Sequence, residues 1–261
     1  MKALRTAVTF ALAAALAAAS LGCATSYSSL EAEQNRRRAR SHYDLGLDHI
    51  QNGRRELGLR ELLAAEQLDP RDAEIQSQLG VTYYQKARRV EGEQHLRRAL
   101  ELKPEYHEAR FNLTVLLLQE GRWQECATES ATLFDDPTFV APWRALGTRG
   151  WCEYKLGRVD QARELLLLAR EYDTKDWSTL LNLGILEADQ GNRPVAIELF
   201  EKVLALRPSA GAEAEVNFRL GELYAAQGER KRAVSHLQAA AEKAPNGPWA
   251  KKSEDTLKRL R

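Results

Sequence analysis

Small and large apolar positions recur along the chain at a fixed spacing, and that spacing defines the elements. Leu45-Gly46 is followed 34 residues later by Leu79-Gly80, and Pro70 is followed at the same step by Pro104. Placed on these marks, six units begin at Ala39, Ala73, His107, Trp143, Trp177 and Ala214. Their eighth residues are Gly46, Gly80, Thr114, Gly150, Gly184 and Gly221. Their twentieth are Gly58, Gly92, Cys126, Ala162, Ala196 and Ala233, all small. The 24th are Leu62, Leu96, Ser130, Leu166, Phe200 and Leu237, nearly all large. Small residues set against large ones at these offsets predict two packed helices per unit. Gly53, Gly121, Gly157, Gly191 and Gly228 mark the turn between them, with Ala87 in that place in the second unit, and Pro70, Pro104, Pro208 and Pro245 stop four of the second helices.

A period of 34 with these residues is the tetratricopeptide signature. The predicted fold is all-α, a tetratricopeptide-repeat solenoid of six helix pairs plus a C-terminal capping helix. Two joints break the period. Two extra residues precede Trp143, and Gly211 to Glu213 are inserted before the sixth unit; both insertions are expected in loops. After Pro245 a segment mixing charges with Ala250, Leu257 and Leu260 reads as a cap over the last exposed helix face. Length alone, 261 residues, would suggest two domains, but the periodicity makes one array.

The N-terminus obeys a different pattern. Lys2 and Arg5 precede an apolar, Ala-rich run from Ala7 to Leu21 that ends at Gly22-Cys23. That order reads as a signal peptide with a processing site. An uncleaved membrane anchor is the competing reading, but the run is shorter than the roughly 20 residues a bilayer needs. Small residues directly before a Cys resemble a bacterial lipobox, which makes Cys23 the acylated first residue of the mature chain. Ser20 stands where lipoboxes carry Leu, so ordinary cleavage stays open at this point. The chain then divides into residues 1–22 as lipoprotein signal peptide, 23–38 as lipidated N-terminus and tether or fraying helix, 39–247 as six repeats, and 248–261 as capping helix.

Composition removes several function classes. Lys and Arg number 38 against 37 Asp and Glu, which argues against a nucleic-acid binder held by a basic surface. Hydrophobic residues at 44% exclude disorder. Three Cys and five His without CxxC or HxxxH spacing point to no structural metal, and no phosphate-loop, nucleophile-elbow or zinc-protease motif occurs. His42 and His49 flank Asp48 on the first helix but read as surface and packing histidines. The expectation is a non-enzyme without cofactor. Cys126 and Cys152 fall early in one helix and late in the next, antiparallel one. They sit at the same level, where an oxidising compartment can pair them or where both fill buried positions as thiols.

Helix-pair arrays bind peptides along the face lined by their first helices. The offsets that point there place Tyr43, Leu47, Ile50, Val81, Tyr84, Phe111, Val115, Leu118, Trp151 and Tyr154 in a partner-binding groove, continued by Leu181, Ile185 and Phe218. A stripe so apolar marks a partner surface. Tyr43 and Leu47 occupy positions where a carboxylate-gripping array carries Lys and Asn, so that type of clamp is not expected here.

A lipobox-like Cys, a short tether and six such units resemble the pilotin-type lipoproteins of type IV pilus biogenesis, the PilF, PilW and Tgl group. The most family-like stretch is Asp135-Asp136-Pro137, Pro142 to Leu146 and Arg149 to Gly157, which includes the irregular joint. The resemblance implies an outer-membrane lipoprotein, facing the periplasm on its acyl chains, that binds the pilus secretin and promotes its assembly or localisation. Ala24 after the Cys, in place of a retention Asp, agrees with the outer membrane. The alternative is a scaffold or regulator of another envelope complex, a cell-wall synthase or the outer-membrane protein assembly machine.

Overall fold

The computed structural model describes residues 30–260, and among them every regular element is a helix. Helix α1 covers residues 30–51. It is followed by α2 (Arg55–Leu68), α3 (Ala73–Gln85), α4 (Arg89–Leu102), α5 (His107–Gln119), α6 (Trp123–Asp135) and α7 (Pro142–Lys155). Then come α8 (Val159–Tyr172), α9 (Trp177–Asp189), α10 (Arg193–Ala205), α11 (Ala210–Ala226), α12 (Arg230–Lys243) and α13 (Pro248–Arg259). Helices α3 and α4, α7 and α8, α9 and α10, and α11 and α12 pair as the periodicity predicts, and α13 packs on α11 and α12. The chain therefore has the all-α tetratricopeptide-repeat fold. Its residues group into two compact units that divide between Ala109 and Arg110.

One hydrogen-bond pattern closes all six inter-helix turns. The N–H of Arg54, Arg88, Arg122, Arg158, Asn192 and Glu229 each donates to the carbonyl five residues back, at 2.8–3.0 Å. The residue just before each has a positive φ: Gly53 (75°), Gly121 (73°), Gly157 (80°), Gly191 (81°), Gly228 (79°) and, without the freedom of glycine, Ala87 (60°). This is the Schellman closure, and it lets the second helix begin at once.

The close approach of the paired helices explains the small residue at position eight. A Cβ placed on Gly80 would lie 2.6 Å from Leu96 Cγ, on Gly150 2.8 Å from Leu166 Cγ, and on Gly184 2.5 Å from Phe200 Cε1. The third unit departs from this scheme and stays filled. Thr114 replaces the glycine and Ser130 the large partner, and both are fully buried. Their hydroxyls donate to the carbonyls one turn back, Thr114 to Arg110 at 2.8 Å and Ser130 to Cys126 at 2.7 Å. Bulk has moved from one helix to the other.

The first compact unit is cored by Leu59, Leu62, Ile75 and Leu79. The second is cored by Leu166, Leu183, Leu186, Phe200, Val203 and Leu220 among others. Each such side chain contributes about 1.5–3 kcal/mol on burial.

The two insertions behave differently. The residues around Thr138 form a loop, as expected, held by Asp136, whose carboxylate accepts from Thr138 N–H (2.8 Å) and Oγ1 (2.7 Å). Gly211 to Glu213 do not form a loop. They belong to α11, which runs 17 residues against 13 or 14 in α3, α5, α7 and α9. Ser209 caps the helix by accepting from Ala212 N–H, and an Ala-rich run behind a Ser cap favours helix over loop. Glu213 reaches Lys243 at 2.7 Å and ties the added turn to the end of α12. The tether region is also partly helical, since α1 begins at residue 30; Cys23 and residues 1–22 lie outside the described residues.

Candidate functional site

The groove residues named from the sequence separate into core and surface once packed. In the first compact unit, Tyr43 is 9% exposed and belongs to the core with Ala39, Leu59 and Ile75. The Arg40 guanidinium lies 4.8 Å above its ring, and burial raises its hydroxyl pKa. Leu47 and Ile50 are half-buried against the same cluster, and Ile50 covers Gly58. Val81 and Tyr84 are half-buried, with Tyr84 backed on Gly92. Tyr43 thus offers little surface to a partner, and it is the neighbouring helix pair that covers it.

In the second compact unit the residues come together around a cleft of about 380 Å³. Phe111, Leu118 and Trp151 line it, joined by Trp143, Arg144, Thr148 and Asn182. Val115 is half-buried on the same helix as Phe111 and Leu118. The Tyr154 ring packs against Trp151 at a tilt of 32°, ring centroids 5.2 Å apart, and its hydroxyl donates to the Asp189 carboxylate. Burial, then that bond, push the Tyr154 pKa up to about 12, so the hydroxyl stays protonated. Close helix approach shapes the floor: a Cβ on Gly147 would lie 2.8 Å from Thr179 Oγ1, so α7 and α9 meet almost backbone to side chain. Asp176, at the rim, is spent on capping α9, accepting from Thr179 N–H (3.0 Å) and Oγ1 (2.6 Å).

Two cations lie over the aromatic rings. Arg144 sits 4.0 Å above Phe111, and Lys155 sits 4.6 Å above Trp151 and 5.5 Å from Tyr154. Neither has a carboxylate within ion-pair range among the described residues, and the Asn182 amide has no hydrogen-bond partner there. Cations stacked on π-faces and partly desolvated contribute about 0.5–2 kcal/mol each and remain able to meet an anion. The cleft can therefore hold apolar side chains on Phe111, Trp143 and Trp151, a main-chain amide on Asn182, and acidic groups near Arg144 and Lys155.

Sequence reasoning passed over Arg144 and Asn182. Arg144 stands at the second position of its repeat, a groove offset, but is charged and so lies outside the apolar stripe; Asn182 stands at the sixth position of its repeat, beside the groove offsets. The structure joins Cys126 to Cys152 in a disulfide between α6 and α7, beside this cleft. His42 contacts Glu61 at 2.7 Å, a helix-pair contact. Among the described residues no group of three His, Cys, Asp or Glu is placed to hold a metal, and no helix is long and apolar enough to cross a membrane.

Comparison with known proteins follows the same lines. The family profile described as "Tetratricopeptide repeat" matches residues 178–246. Among solved structures the fold is similar to PilW, described as a widely conserved type IV pilus biogenesis factor, at 17% identity over 82% of this chain and 97% of that one, with a TM-score of 0.72. It is similar to PilF of Pseudomonas aeruginosa at 16% identity over 85% and 99% of the two chains, TM-score 0.71. A tetratricopeptide repeat protein from Parabacteroides merdae shares 18% identity over 82% of each chain, TM-score 0.67. At such identities the likeness is one of fold. No curated protein matches the sequence.

Proposed function

We propose that this chain is an interaction scaffold of the type IV pilus machine, anchored to the outer membrane through acylated Cys23 and acting on assembly or localisation of the secretin. The observation that carries the reading is the cation-capped aromatic cleft of Phe111, Trp143 and Trp151, a partner surface built on the first helices of the repeats. The fold likeness to PilW and PilF, which spans nearly the whole of both chains, supports the choice of machine. The lipobox-like end of the signal segment supports the anchor, and a disulfide supports an oxidising compartment.

The cleft favours a partner segment that combines apolar and acidic residues. Rigid aromatic anchors bury such a segment at low entropic cost, and truncating one central anchor removes about 2 kcal/mol of binding, roughly thirtyfold. The test is the Phe111→Ala/Trp151→Ala variant in cells that make type IV pili. Helical content and membrane fractionation should hold while secretin multimers and surface pili decline. Normal secretin assembly by a folded variant would remove the pilus reading and favour a scaffold of another envelope complex. Separately, Cys23→Ala should release the protein from the membrane fraction; unchanged fractionation would remove the anchor.

A further inference from the structure

A second recognition site emerges from a register inside the repeats. In four of the six, the fourth residue of the repeat, on the first helix, and the 23rd, on the second helix, form a polar pair. His42 meets Glu61 at 2.7 Å, Gln76 meets His95 at 2.7 Å, Arg110 meets Glu129 at 2.5 Å, and Asn217 meets His236 at 2.9 Å. In the fourth and fifth repeats both members are leucine: Leu146 with Leu165, and Leu180 with Leu199.

In the fifth repeat this exchange coincides with an open cavity of about 440 Å³. It is lined by the buried Leu180 and Leu199, the half-buried Leu206 and Arg170, and the exposed Thr174, Lys202 and Ala205. Lys202 is committed to Glu198 at 2.6 Å. Arg170 has no carboxylate within ion-pair range among the described residues. Two cations against one anion leave the cavity with a net positive charge beside its leucines. The hydrogen bond from Lys202, then the charges of Lys202 and Arg170, hold the Glu198 carboxyl below the ordinary range. The site is distinct from the aromatic cleft, since it is built on the last turns of α8 and α10 and the start of α9.

We propose that this cavity binds the C-terminal residue of a partner polypeptide, its aliphatic side chain against Leu206 and the small exposed edges of Leu180 and Leu199, and its α-carboxylate on Arg170. A terminal residue carries an apolar side chain and a carboxylate on the same carbon, which matches a lining that combines leucines with a guanidinium. The open mouth lets the rest of the peptide leave. An internal Asp or Glu brings a charge without the aliphatic group. The planar guanidinium of Arg170 suits a carboxylate, and hydrogen bonds to charged groups are among the stronger ones.

The test titrates the purified full chain with a fluorescein-labelled pentapeptide, Gly-Ser-Gly-Ala-Leu, by anisotropy. Saturable binding is expected, weakened about tenfold or more by C-terminal amidation and by Arg170→Gln. The Leu180→Gln/Leu199→His variant should abolish it while keeping helical content, because it installs the pair that Gln76 and His95 already form. Arg170→Gln alters only a half-buried residue, so it decides the matter if the double variant does not fold. Equal affinity for the amidated peptide would overturn the proposal. So would binding that Arg170→Gln leaves unchanged, or no binding of the peptide up to about 1 mM while octanoate binds, which would make the cavity a fatty-acid site.

Discussion

The third repeat offers a direct test of how the helix pairs are packed. In five of the pairs the glycine at position eight faces a large side chain at position 24, and in four of them, Gly80, Gly150, Gly184 and Gly221, a Cβ would come within 2.5–2.8 Å of it. Thr114 and Ser130 reverse that division with both residues fully buried. Ser130→Leu alone drives a branched side chain against Thr114, an overpacking that costs about 1–3 kcal/mol. Thr114→Gly alone opens a void: two methylene equivalents at about 0.8 kcal/mol each and roughly 0.3 kcal/mol of helix propensity give a loss of about 2 kcal/mol. Combined, the changes rebuild the pair the other repeats use, so the double variant should lose less than about 1 kcal/mol, a coupling of roughly 2–4 kcal/mol. Guanidinium unfolding of the four proteins with the disulfide intact would measure it, read from the midpoint at unchanged slope. Losses that add to within about 0.5 kcal/mol would show that the two positions do not share space and would refute the reasoning.

Three further outcomes are expected. Removing the disulfide by Cys126→Ala/Cys152→Ala, which frees a 26-residue loop, should lower stability by about 3.5 kcal/mol on the chain-entropy estimate, read from the unfolding midpoint under non-reducing conditions. Ala87→Gly should stabilise by up to about 1 kcal/mol, because the left-handed turn costs alanine about 1–2 kcal/mol and the added freedom of the unfolded chain takes back roughly 0.4–1 kcal/mol; Gly53→Ala should destabilise. Burial holds the imidazoles of His95 and His236 below the ordinary 6.5, so the unfolded chain binds more protons there than the folded one. Their contribution to stability is therefore complete above pH 6.5 and falls as the pH drops below it, levelling off under the folded pKa values. Melting curves at pH 8 and 5.5 should show this, with the difference narrowed in His95→Gln.

The repeat boundaries, turn positions and paired helices were legible because each depends on residues fixed relative to one another by one period. Gly80 and Leu96 announce their contact by spacing alone. What escaped depended on neighbours outside the period. Tyr43 and Phe111 both stand at the fifth position of their repeats, yet one is core and the other lines a cleft, since burial is set by the pair stacked alongside. Arg144 escaped because its aromatic partner, Phe111, lies in another repeat and a charged residue did not fit an apolar search. Gly211 to Glu213 were misplaced in a loop because an insertion was read as an interruption, although Ser209 and the alanines after it already carried a helix start.

The bond between Cys126 and Cys152 also changes how the chain would bear load. A stack of repeats held only by neighbour contacts can come apart at any joint when its ends are drawn apart, releasing each repeat in turn as extended chain. Here the junction of the third and fourth repeats is stitched, and the 26-residue step from Cys126 to Cys152 is withheld from extension. At roughly 3.4 Å per residue that is about 90 Å of contour length the protein cannot pay out while oxidised. A scaffold pulled between a membrane and a moving partner would then yield first at its other joints, leaving the loop next to the aromatic cleft as the last segment to lose its shape.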